Sequence, residues 1–252
     1  MDQITEGIVF RQIKMATGRR MILLFTKKYG KISVGTNISE KGRTRSSLAL
    51  RPFTYGSYHI FEGRNYFNLD KADSIRSFYS IGEDLDKYVS AGFVLELTEK
   101  AVPEGIPQPA VFQVLLDFME EISERNGQHR TLVLAYEIQL LRILGFFPKL
   151  DSCACCGRPG NWKSFSVPDG GTICPECREK KSASGEDSLI YDTEFDIVNV
   201  IQYFAGNPMK AFRKLALQKD AAEHLQQIIR RYLEYYLDIG KLKSESMWNE
   251  SV

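Results

Sequence analysis

Cys153, Cys156, Cys174 and Cys177 form two Cys-x-x-Cys pairs separated by 17 residues. Two thiolates three residues apart suit one knuckle of a metal site. A second knuckle facing the first completes a tetrahedral S₄ shell, the coordination that Zn²⁺ takes in structural sites. Gly157 follows the first pair and lets the knuckle turn. Between the pairs, Phe165-Ser166-Val167 and Thr172-Ile173 flank Pro168-Asp169-Gly170-Gly171. That pattern predicts two short strands joined by a tight turn, the hairpin of a zinc ribbon. One structural zinc per chain is expected; the alternatives are disulfides or thiols without metal. A complete S₄ shell leaves no position for water or substrate, so its role is to staple the fold rather than to catalyse. Cys155 falls outside the paired spacing and is read as a bystander, or as a poor substitute ligand if Cys156 is lost.

A second chemistry is electrostatic. Residues 1–80 carry 14 Lys and Arg against 6 Asp and Glu, a balance of +8, and residues 81–252 carry 19 against 26, a balance of −7. The overall charge of +1 therefore hides a basic module joined to an acidic one. Such a footprint fits a polyanion partner for the N-terminal part. The cations fall on expected turns and loops: Lys14, Arg19 and Arg20; Lys27, Lys28 and Lys31; then Lys41, Arg43, Arg45 and Arg51. A basic insert beside a barrel rich in Phe and Tyr suits single-stranded nucleic acid, which needs a positive groove and stacking platforms. Tyr29, Tyr55, Tyr58 and Tyr66 are the candidate stackers, each against the alternative of a core or cross-strand aromatic. Any one lysine is equally well a solvated surface charge, so the cluster carries the argument.

These groups need elements to hold them. Strands are predicted over 7–13, 21–26, 31–36, 53–61 and 65–72, with Lys27-Lys28-Tyr29-Gly30 as a hairpin turn. Five short strands with a long insert before the fourth fit an OB-fold barrel. Beyond residue 80 the period changes. Leu85, Val89, Phe93 and Leu97 mark one helix, and Val111, Leu115, Phe118 and Ile122 a second. The segment 131–146 is apolar nearly all round and is expected to be a buried helix ended by Pro148. Residues 180–188 read as a loop. Phe195, Val198 and Ile201 open a further helix, and Asn207-Pro208 reads as a cap. Asp220 and Glu223 resemble a capping box ahead of Leu225, Ile228 and Tyr232. The tail from Lys241 reads as fraying. The expected architecture is α+β and multidomain. An OB-fold nucleic-acid-binding domain over 1–80 precedes an α-helical domain over 81–252, which a Cys₄ zinc ribbon interrupts at 150–180.

Several classes are disfavoured. No G-x-x-x-x-G-K-[ST] loop for ATP is present. The histidines His59, His129 and His224 are scattered and form no catalytic motif. No catalytic residue is nominated, and the chain is not expected to be an enzyme. The apolar stretch 132–147 is broken by Glu137 and Arg142 and is too short to span a bilayer. No secretory leader is read at Met1, and the cysteine usage suits a reducing compartment, so the expectation is cytoplasmic.

The chain resembles the RecO family of bacterial recombination mediators. The matching residues are Gly7-Ile8-Val9, Leu24-Phe25-Thr26, Tyr29-Gly30-Lys31-Ile32-Ser33 and Leu50-Arg51-Pro52-Phe53. Further along they are Glu96-Leu97, Leu144-Gly145-Phe146-Phe147-Pro148 and Gly170-Gly171 before Cys174. Each is weak alone; their order and spacing along the whole chain are specific. The resemblance implies binding of single- and double-stranded DNA and annealing of complementary strands without ATP. It also implies joint action with RecR in loading RecA onto strands coated by SSB. Family members bind the acidic, apolar C-terminal tail of SSB on the helical domain. A nucleoid-associated DNA-repair role follows from the same resemblance. The alternatives from other classes are a zinc-ribbon, OB-fold RNA-binding factor and a metal-dependent nuclease.

Overall fold

In the computed structural model, which describes residues 2–15, 20–38, 44–63, 67–194 and 196–251, the N-terminal strands close into a barrel. They are β1 (Asp2–Lys14), β2 (Arg20–Thr26), β3 (Gly30–Thr36), β4 (Thr54–Glu62) and β5 (Phe67–Ser77). Their order around the barrel is β1-β2-β3-β5-β4, and β4 returns to pair with β1. Only β3 and β5 run parallel. This is the OB-like arrangement expected from the strand pattern.

The side-chain alternation explains the strands. On β2, Ile22 and Leu24 join Val9, Val34, Tyr58 and Ile60 in the barrel core. The next residue, Phe25, stacks on Phe10 at 5.4 Å and meets Phe112 at 5.5 Å. Apolar groups thus occupy both faces of β2, which accounts for the unbroken run Met21-Ile22-Leu23-Leu24-Phe25. A bulge between Val9 and Arg11 shifts the β1–β2 register by one residue.

Three expectations about the barrel change. Strand β1 is longer at both ends, and β5 runs further than the expected 65–72, to Ser77; residues 65 and 66 of that expectation lie outside the described residues. Phe53 sits at φ 58° and only precedes β4. The insert before β4 also contains a helix, α1 (Arg45–Ala49), which the sequence reading missed. Thr44 caps it by accepting the Ser47 N–H at 3.2 Å. Ala49 and Leu50 belong to the barrel core, and the Tyr58 hydroxyl donates to the Ala49 carbonyl at 2.8 Å. The insert therefore includes a plug for one end of the barrel.

Beyond the barrel, Asp84 caps α2 (Leu85–Ala101) by accepting the Lys87 N–H at 3.0 Å. Helix α3 (Pro109–Glu124) buries Val111, Leu115, Phe118 and Ile122 as the spacing requires. The chain forms two compact units, 1–127 with 242–252, and 128–241. The expected division at residue 80 follows the change from strand to helix. The compact units follow packing instead, and α2 and α3 group with the barrel.

The second unit contains α4 (His129–Ile143), whose residues 131–135 are all buried. Pro148 does not end it. The helix stops at Gly145, at φ 86°, where the Gly145 N–H reaches the Arg142 carbonyl and the Phe146 N–H reaches that of Leu141. That is a Schellman stop, which glycine makes at low strain. The ribbon follows: β6 (Ser164–Ser166), β7 (Gly171–Ile173), α5 (Pro175–Ser184) and β8 (Ile190–Asp192), in sheet order β7-β6-β8. The hairpin was expected; the third strand was not. Much of the expected loop at 180–188 is the last turns of α5, which Gly185 closes.

Helix α6 (Ile197–Gly206) is followed by a 3₁₀ turn, Met209–Phe212. Asn207 ends α6 and Pro208 precedes the turn, so this pair opens no α-helix. Helix α7 (Lys219–Leu237) begins one residue before Asp220, so the expected capping box is absent. Glu223 instead pairs with Arg130 at 3.2 Å. The tail is also ordered. Helix α8 (Glu245–Ser251) belongs to the first unit, and its buried Trp248 stacks on Phe93 at 4.4 Å. Glu96 on α2 accepts the N–H groups of Lys243 and Ser244, each at 2.9 Å, and so anchors the start of α8.

Candidate metal centre and nucleic-acid surface

The two Cys-x-x-Cys pairs reach one point from different elements. Cys153 and Cys156 lie on the loop before β6. Cys174 follows β7 at the N-cap position of α5, and Cys177 lies in the first turn of that helix, with Pro175 at its first position. All four Sγ atoms lie within 4.8 Å of one another. Tetrahedral zinc–thiolate bonds of about 2.3 Å place sulfurs about 3.8 Å apart. Cys156 Sγ and Cys174 Sγ are 3.8 Å apart. No disulfide joins the five cysteines. Cys155 is exposed and outside the four-sulfur cluster.

Backbone amides prepare the site for negative sulfur. The N–H groups of Cys174 and Cys156 point at Cys153 Sγ from 3.3 and 3.5 Å. Burial alone would raise the Cys153 thiol, but these amides and that of Cys155 outweigh it and bring its pKa down to about 6. Cys177 lacks that help; burial and its sulfur neighbours push its pKa up. The residues thus fit a bound cation, which would neutralise the crowded sulfurs.

The ribbon's own apolar content is small. Cys153, Ile173, Cys174 and Cys177 form its buried cluster, with Ala154, Trp162 and Ile190 beside it. Docking supplies the rest. Phe165 meets Tyr232 of α7 at 5.7 Å, and the Tyr236 hydroxyl donates to the Pro168 carbonyl at 3.2 Å. Gly171 pairs with Lys149, and a Cβ there would lie 2.1 Å from the Lys149 carbonyl oxygen. Glycine is therefore required at the hairpin.

The basic residues divide into two groups. At the β2–β3 hairpin, Lys27 pairs with Glu6. The Tyr55 hydroxyl donates to the same carboxylate at 2.6 Å. The Lys27 contact, then that of Tyr55, holds the Glu6 pKa low. Lys28 donates to Gln3, and Lys31 donates to the Glu99 carbonyl at 2.6 Å. Burial lowers the pKa of Lys31. Arg20 donates to Gln12 at 2.9 Å and to the Ile38 carbonyl. All four cations have intramolecular partners.

Lys14, Arg45 and Arg51 are exposed, and no ion pair holds them among the described residues. They gather toward one end of the barrel: Lys14 pairs in register with Arg20, while the Gln12 side chain reaches the Leu50 carbonyl beside α1. Arg19, Lys41 and Arg43 lie outside the described residues. The aromatic candidates divide too. Tyr58 is a core residue, Tyr29 leans on Phe67 at 5.6 Å, Tyr55 holds Glu6, and Tyr66 lies outside the described residues. The sequence reading missed Tyr79, which is 68% exposed just beyond β5. No periodicity could single it out, because it sits on a 3₁₀ turn, Tyr79–Glu83.

No helix among the described residues is long and apolar enough to cross a membrane. Comparison with known proteins matches two family models, recombination protein O N terminal over residues 1–78 and recombination protein O C terminal over residues 82–246. A curated relative from Alkaliphilus metalliredigens, named DNA repair protein RecO, is 30% identical over 93% of both chains. Relatives of the same name from a Thermoanaerobacter species and from Listeria monocytogenes are each 27% identical. They cover 97% and 92% of this chain, and 96% and 88% of their own. Matched by the two models over residues 1–78 and 82–246, the chain belongs to the recombination protein O family.

Proposed function

We propose that this protein is a recombination mediator in DNA repair, which binds single and double strands and anneals complementary strands without nucleotide. The observation that carries the reading is family membership over residues 1–78 and 82–246, on a fold whose barrel bears cations around α1 that have no ion pair among the described residues. Annealing requires two phosphate backbones to be neutralised at close range, and electrostatics supply this without ATP. Lys14, Arg45 and Arg51 are the first candidates for phosphate contact; Arg19, Lys41 and Arg43, outside the described residues, are further candidates from the sequence alone. The DNA-repair names of the relatives leave the RNA-binding alternative without support.

One Zn²⁺ held by Cys153, Cys156, Cys174 and Cys177 would cross-link the ribbon and carry no reaction step. RecR and SSB are the protein partners in this reading, with loading of RecA onto SSB-coated strands as the outcome. A cleft of about 440 Å³ includes Phe10, Phe53, Leu95 and Met247; its charged lining sets Arg11, Lys100 and Lys243 against Glu96 and Glu99, with Arg11 and Glu99 paired at 2.9 Å. That chemistry suits an acidic, apolar tail such as that of SSB. Annealing of SSB-coated complementary oligonucleotides, with and without RecR, tests the reading. Pairing faster than the spontaneous rate, without ATP, is expected.

A further inference from the structure

We propose that Tyr79, with Arg45 and Arg51, forms a stacking subsite for one nucleotide of single-stranded DNA. The inference rests on the DNA-binding reading above and deepens it, because it gives the α1 end of the barrel a preference for unpaired strands. A cavity of about 510 Å³ opens there, within the range of about 300–1,000 Å³ usual for small-ligand clefts. Its lining includes Arg45, Arg51, Ser74, Ser77 and Tyr79. Asp73, the one carboxylate present, is paired with Lys71 at 3.1 Å. The two arginines are therefore the uncompensated charges of the cavity among the described residues.

Tyr79 is anchored on both sides and open at its ring. Phe78 before it is buried, and its N–H donates to the Phe53 carbonyl at 3.0 Å. Ile81 after it is fully buried. The backbone is thus fixed while the ring stands in solvent, 68% exposed. Other exposed tyrosines lean on a second ring: Tyr88 on Phe53, Tyr203 on Phe212 and Tyr235 on Tyr236. Tyr79 leans on none among the described residues. A rigidly mounted aromatic face beside two guanidinium groups and two hydroxyls matches a base flanked by phosphates. A paired base is already stacked on both faces and cannot use the ring, so the subsite discriminates single strands from duplex.

The test measures affinity of the full chain for an oligothymidine strand and for a mixed-sequence duplex at one salt concentration. Tyr79→Ala is expected to weaken single-strand binding about tenfold and to have far less effect on the duplex. Tyr79→Phe, which keeps the π face, should restore single-strand affinity. Tyr235→Ala is the control for loss of an exposed tyrosine elsewhere, and thermal melting checks that each variant folds. Tyr79→Ala binding single strands as tightly as the unmodified protein overturns the proposal, as does an equal loss on both substrates. If the unmodified protein binds neither substrate, the DNA-binding reading itself fails, an outcome distinct from failure of the subsite alone.

Discussion

The barrel and the ribbon are both small β structures, but they are held by different means. The barrel closes its hydrogen-bond ladder through β4 and β1, and fills its interior with Val9, Ile22, Leu24, Val34, Ile60 and the α1 plug. The ribbon has strands of three residues, an open sheet and a buried cluster in which three of four members are cysteines. A closed barrel with an apolar core stands on burial and pairing. A hairpin whose small core is mostly cysteine gains its main cross-link only when a cation sits among the sulfurs. Their charges differ as well: in the ribbon Arg158 pairs with Glu176 at 2.8 Å and Lys181 with Asp169 at 3.1 Å, while Lys14, Arg45 and Arg51 on the barrel side are exposed without an ion pair among the described residues.

Metal removal should separate the two regions most sharply. Structural zinc in isolated zinc-finger peptides is worth about 10–16 kcal/mol of apparent binding free energy, which is also folding free energy. Chelation, or Cys174→Ser, should therefore abolish amide-exchange protection in β6 and β7 and leave that of β2 and β3 intact. Elemental analysis should find one zinc in the unmodified protein, little in Cys174→Ser and a normal content in Cys155→Ser. Equal loss of protection in both regions would erase the contrast.

The division among the cations gives the next largest effect. Arg45→Ala with Arg51→Ala should weaken DNA binding irrespective of sequence. It should also flatten the log–log salt dependence by about 0.7 for each lost phosphate contact on single strands. Lys27→Ala with Lys28→Ala should do less, because Lys27 already pairs with Glu6 and Lys28 with Gln3. Titrations across a salt series check both variants, and a larger effect from the lysine pair would move the DNA path to the hairpin end.

The smallest effect concerns the tail. Burial pushes the Glu96 pKa up, but the Ser244 hydroxyl and the amides of Lys243 and Ser244 outweigh it, and the net shift is downward. A lowered folded-state pKa means that this contribution is complete above the unfolded value near 4.5 and is lost as pH falls through the folded one. Glu96→Gln should cost about 1 kcal/mol at neutral pH, the usual loss for a helix cap. Trp248 fluorescence in a Trp162→Phe background should show α8 loosening at acid pH in the parent and less pH dependence in Glu96→Gln.

Much of this was legible in the sequence because it depends on local pattern. The cysteine spacing marked the four-sulfur cluster, and the turn Pro168-Asp169-Gly170-Gly171 marked its hairpin. Ile32 and Val34, alternating with Lys31, Ser33 and Gly35, have the period of a half-buried strand and lie in β3. Other features depend on distant partners. Helix α1 is five residues long and forms because Ala49 and Leu50 fill the barrel end, and β8 exists because β6 offers it an edge. Helix α8 forms where Phe93 and Glu96 receive it. Counting charges located the basic module, but not which cations would be taken by Glu6, Gln3 or the Glu99 carbonyl. No pattern distinguishes Tyr58 in the core from Tyr79 in solvent.

The central claim is that the α1 end of the barrel drives nucleotide-independent annealing. Its most direct test is the annealing rate of SSB-coated complementary oligonucleotides, without ATP, for the unmodified protein and for Arg45→Ala with Arg51→Ala. Acceleration by the unmodified protein and a strong loss in the double variant, with zinc content and melting temperature unchanged, is the predicted result. An absolute requirement for ATP, or full activity in the double variant, would contradict it.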